Sequence, residues 1–91
     1  MKLYTVYDSK SESFTPPMAN RTRGEAIRGF TDEVNNPNSM LNKHPEDYTL
    51  FELAEWDNST GQIIPLDTPL SCGLAIEYKN SDDRELTSQA A

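Results

Sequence analysis

The chain has 91 residues, a formal net charge of −7 and one cysteine, Cys72. That length holds a single domain, which buries only about 60–65% of the surface its unfolded chain exposes. One cysteine excludes an intramolecular disulfide and a cysteine-based zinc site. No apolar run approaches the roughly 20 residues of a membrane helix.

Charge is spread unevenly. Residues 1–36 carry five cations against five carboxylates, whereas residues 37–91 carry three against ten. Nucleic-acid affinity rests mainly on cations that release counterions from phosphates. Any nucleic-acid surface is therefore expected in the neutral N-terminal part. The opening Met1–Asp8 reaches charged residues too early for a signal peptide. With the lone cysteine, this predicts a cytoplasmic protein.

In chain order, Leu3–Tyr7 alternates with β-branched and aromatic residues and reads as a strand. Asp8–Glu12 is a polar turn, and Ser13–Thr15 reads as a short returning strand stopped by Pro16 and Pro17. Thr22-Arg23-Gly24-Glu25 is a capping-box helix start. Behind it Ala26, Ile27, Phe30 and Val34 make one apolar stripe at helical spacing. Asn35–Asp47, with two prolines and four asparagines, reads as a loop.

Tyr48–Asp57 is the strongest strand, with Tyr48, Leu50, Glu52, Ala54 and Trp56 on one face. Asp57–Gly61 is a hairpin turn in which Gly61 suits a positive φ. Gln62–Leu66 returns as the partner, and Pro65 points to an edge strand. Leu74–Tyr78 supplies a candidate last strand. The expected fold is α+β: an antiparallel sheet in the order β-β-α-β-β, with room for one more strand and one helix on one face. Residues 1–79 make the domain, and 80–91 read as a flexible tail.

Catalytic chemistry finds no foothold in this pattern. His44, the only histidine, sits before Pro45 in a polar loop, and Glu46 and Asp47 follow it at no recognised ligand spacing. Glu52 and Glu55 fall on opposite strand faces, cannot form an acid/base pair, and read as ordinary exposed strand charges. Gly24, Gly29, Gly61 and Gly73 match no nucleotide fingerprint. The expectation is a binding protein rather than an enzyme, with no metal or cofactor.

Arg21, Arg23 and Arg28 bracket the helix start, where backbone amides also favour an anion. Together with Lys2 they are the candidate phosphate contacts. Arg28 also stands one turn before Asp32, a spacing that permits an ion pair. Tyr4, Tyr7, Phe14, Tyr48, Phe51 and Trp56 lie on predicted strands, on both faces, and one helix covers only one face. Rings on the other face are then open to a nucleic acid or a second subunit. Tyr4, Tyr7 and Trp56 are the candidate stacking rings.

Met1–Asp8, the segment Ala26–Phe30, and Tyr48–Asp57 followed by Thr60-Gly61 resemble the small nonstructural protein of gokushovirus-type Microviridae phages. The similarity runs in the same order across roughly residues 1–70, with Ala54 where that family is expected to carry glycine. The resemblance implies a DNA-binding accessory role in viral single-stranded DNA synthesis or packaging, in the host bacterial cytoplasm. It supplies no catalytic motif. The leading expectation is a protein that binds single-stranded DNA or the replication complex on it, as a homodimer. The alternative is an acidic adaptor that engages a host or phage protein without touching DNA.

Overall fold

Strand patterning and prolines together decide the sheet. In a computed structural model that describes residues 1–80, Lys2–Asp8 forms β1, flanked on one side by two short antiparallel segments, Ser13–Phe14 (β2) and Met18–Asn20 (β3). Pro16 and Pro17 split this outer strand because neither can donate to the ladder. Thr15 fills the gap: its amide donates to the Val6 carbonyl at 2.9 Å. Its hydroxyl takes the Val6 amide proton at 3.0 Å.

On the other side of β1 lies Tyr48–Trp56 (β4), and beyond it Ile63–Leu74 (β5). All pairings are antiparallel, giving a five-stranded open sheet. The hairpin between β4 and β5 turns at Gly61, whose φ of 81° is the positive value expected there. Ala54 faces Pro65 while Glu52 faces Leu70, so Leu66–Pro69 bulge out of β5.

Arg23–Val34 forms α1 and lies across one sheet face. Thr22 caps it, its Oγ1 accepting the Glu25 amide at 3.1 Å. The Glu25 carboxylate reaches one residue further back than a capping box requires, to the Arg21 amide at 3.0 Å. Ala26, Phe30 and Val34 are buried against Tyr4, Val6, Leu50, Cys72 and Ala75. Full burial of a Phe or Leu contributes about 1.5–3 kcal/mol, so this stripe anchors the helix. Gly29 sits mid-helix, with nothing among the described residues within 4 Å of where its Cβ would be. Glycine there costs roughly 1 kcal/mol relative to alanine, and no neighbour requires it.

The chain departs from the sequence expectation at several points. The loop after α1 contains a helical turn, Met40–Lys43 (α2), capped by Ser39, and a 3-10 turn over Pro45–Asp47. Leu74–Tyr78 is not a separate strand: Leu74 ends β5 and Ala75–Tyr78 coils into α3. The Glu77 carboxylate accepts the Leu74 amide at 2.8 Å and the Tyr78 hydroxyl donates to the Cys72 carbonyl. Those local bonds replace a strand ladder. Arg28 forms no ion pair with Asp32. The predicted tail lies, from residue 81 onward, outside the described residues.

Candidate binding surfaces

Parity along the strands sorts the side chains into two faces. Tyr4, Val6, Leu50 and Cys72 lie under α1. Tyr7, Thr49 and Phe51 alternate with them and face away, and Phe14 joins through its pairing with Tyr7. The Tyr7 and Phe14 ring centroids are 4.6 Å apart, and Phe14 stands edge-on to Phe51 at 6.1 Å. Phe14 is 54% exposed. This aromatic trio is the most accessible ring cluster of the bare face. Sequence reading placed Phe14 and Phe51 on strands without singling them out. Their place on one face with Tyr7 becomes visible only once the helix has chosen its face.

The candidate stacking rings part company. Tyr4 is wholly buried, and burial with the nearby Glu52 carboxylate pushes its phenol pKa up. Tyr7 belongs to the trio, and Trp56 is half-buried at the far end of β4.

The cations are not gathered either. Lys2 pairs with Glu52 at 3.5 Å. Glu52 is buried, contrary to its expected place among exposed strand charges. Lys2 is thereby engaged in neutralising an inward carboxylate, the role that makes such burial tolerable. Arg23 reaches from the start of α1 to the Ser71 carbonyl on β5, at 3.3 Å. Five residues separate Arg23 from Arg28, which turns them about 140° apart around the helix. Arg21 is exposed just before the cap. Among the described residues none of these guanidiniums is paired with a carboxylate. All three are carried on the segment that caps the covered face, away from the aromatic trio.

Two further features complete the surface. His44, Glu46 and Asp47 bring ligand atoms within 4.8 Å of one another, a spacing that exposed acidic turns reach without an ion. Cys72 is buried, and desolvation pushes its thiol pKa up, so it lacks the thiolate character of a reactive cysteine. Between α1 and the β1–β3 edge opens a mostly apolar cavity of about 490 Å³, whose walls include Met18, Ala26, Gly29, Phe30, Leu41 and Leu50. Sequence patterning held no signal for it beyond the unexplained Gly29. No described helix is long and apolar enough to cross a membrane.

No curated protein and no solved structure matches this chain. A family model does: the one described as Phage ORF5 protein aligns with residues 1–78, nearly all of the described structure, and the chain belongs to that family of phage proteins.

Proposed function

We propose that this phage accessory protein acts by docking, through the bare sheet face, onto a basic protein of the phage or host replication machinery. The observation that carries this reading is the Tyr7–Phe14–Phe51 cluster, with Phe14 exposed and the other two rings half-buried, on a face that does not carry Arg21, Arg23 or Arg28. Exposed aromatics are favoured anchors of protein interfaces. A net charge of −7 steers the chain towards a basic partner and away from phosphates.

Binding of single-stranded DNA is the second reading. It is favoured by one specific feature, three guanidiniums without carboxylate partners beside a helix start. In that case Arg21, Arg23 and Arg28 would hold phosphates, and bases would stack elsewhere than on Tyr4.

Fluorescence anisotropy with a labelled oligothymidylate, titrated with salt, separates the two. Docking predicts no binding even at low salt. Affinity that falls steeply with salt, and flattens when Arg21, Arg23 and Arg28 are replaced by alanine, would overturn docking in favour of the DNA reading.

A further inference from the structure

We propose that the groove beside Gly29 receives the Ile63–Ile64 end of the hairpin from a second copy of this chain, and that reciprocal insertion closes a homodimer. This stands independently of what the aromatic face binds.

Successive strand residues point to opposite faces, and here Ile63 is 60% and Ile64 56% exposed. Among the described residues nothing covers either face of the sheet at that end. A strand that is apolar on both sides has the pattern of one enclosed on both sides, and a concave receptor is what encloses it. The cavity under α1 has the size, about 490 Å³, of pockets that hold sizeable apolar groups.

Gly29 supplies a second reason. It weakens α1 without any steric need inside the monomer, and it forms part of the cavity wall. Glycine with nothing opposite it leaves room for close approach of another chain. The occupant is a second copy because every chain carries both halves of the fit, an exposed apolar hairpin end and an open apolar groove. Gln62 to Leu66 carries no charge, so two acidic chains meet there with least repulsion.

Extension of the sheet edge to edge is an inferior route. The Asp57 amide donates to the Gln62 carbonyl at 2.9 Å, which sets the outward-facing nitrogens of β5 at residues 63 and 65. Residue 65 is a proline and presents no donor, so the outer ladder is interrupted. Side chains, not backbone, must carry the contact. A stable interface buries about 800 Å² on each partner. A single inserted hairpin end falls short of that, whereas twofold exchange gives each copy one hairpin and one groove.

Analytical ultracentrifugation of the full chain tests the proposal. The wild type is expected to sediment as a dimer. The double change Ile63→Ser, Ile64→Ser and the single change Gly29→Leu should each weaken dimerisation by about tenfold or more. Gly29→Ala should weaken it less. Thermal melts guard against misfolding: both Gly29 changes raise helix propensity, so a lower dimer affinity with an undiminished monomer melt supports the groove.

Mixing the isoleucine double variant with Gly29→Leu restores one sound hairpin and one open groove per pair. The mixed pair should therefore associate more tightly than either variant does with itself, and less tightly than the wild type, which keeps both contacts. A monomeric wild type, a dimer indifferent to both variants, a mixture no more associated than either variant alone, or a ladder of larger species would each overturn reciprocal insertion.

Discussion

Leu50 and Phe51 are neighbours in sequence and face opposite worlds. Leu50 lies beneath α1 with Tyr4, Val6 and Cys72, in a layer where almost nothing reaches water. Phe51 sits on the bare face in a looser cluster whose outermost member, Phe14, is mostly exposed. One face holds the protein together and the other is free to change without unfolding it. The difference teaches where to look for partners: stability and recognition are separated by one residue of strand register.

The sharpest way to break that division is to truncate both neighbours. Leu50→Ala should cost about 2–5 kcal/mol, the range for a large residue removed from a packed core. Phe51→Ala should cost no more than about 1–2 kcal/mol, because its ring is only partly buried and no helix closes over it. Urea unfolding of the two variants measures both. Equal losses would mean that the bare face is a second core.

The next test probes the polar seam inside the covered face. Lys2→Ala strands the buried Glu52 carboxylate. Loss of a fully buried partner costs several kcal/mol, but the Lys2 side chain is 36% exposed, so water screens the pair. The expected loss is about 1–2 kcal/mol. Adding Glu52→Gln should recover part of it, which a double-mutant cycle reads directly.

The sheet and its helix were legible in the sequence to different depths. Ala26, Phe30 and Val34 announced the covering helix because their spacing is a property of one segment. Gly61 likewise announced its turn. Other features depend on distant partners. The burial of Glu52 requires Lys2 from a strand fifty residues away. The coil at Ala75–Tyr78 depends on Glu77 and on a hydroxyl bond back to Cys72. Strand parity showed that two faces exist, and that Tyr4 and Tyr7 oppose each other. Which one the helix would cover was not written in any local pattern, so Tyr4 stood among the candidate contacts although it lies in the core. The separation of arginines from rings follows from that same choice.

A smaller effect is expected at the helix entrance. Thr22→Ala removes the acceptor for the Glu25 amide and should lower stability by about 1 kcal/mol. Replacement by serine should restore it. This loosens the covering layer without touching the bare face, so any binding through Phe14 should persist.

The smallest effect concerns acid. The Asp57 carboxyl is held below the usual carboxylate range by hydrogen bonds from the Ser59 hydroxyl and amide. A depressed folded value means the ionised form is favoured by folding. Its contribution is therefore present above about pH 4, the unfolded value, and fades as pH falls through the folded value. Asp57→Asn should flatten a slight part of the acid limb in melts taken from neutral to low pH. The site is exposed and at a turn, so the covered face should not respond.

Cys72 turns the architecture into its own gauge. The chain's one thiol lies shut beneath α1, so an alkylating reagent must wait for the helix to lift. When closing outpaces capture, the rate of label uptake reports the fraction of molecules in which that roof stands open under otherwise native conditions. Breathing of the lid can thus be followed without introducing a foreign probe.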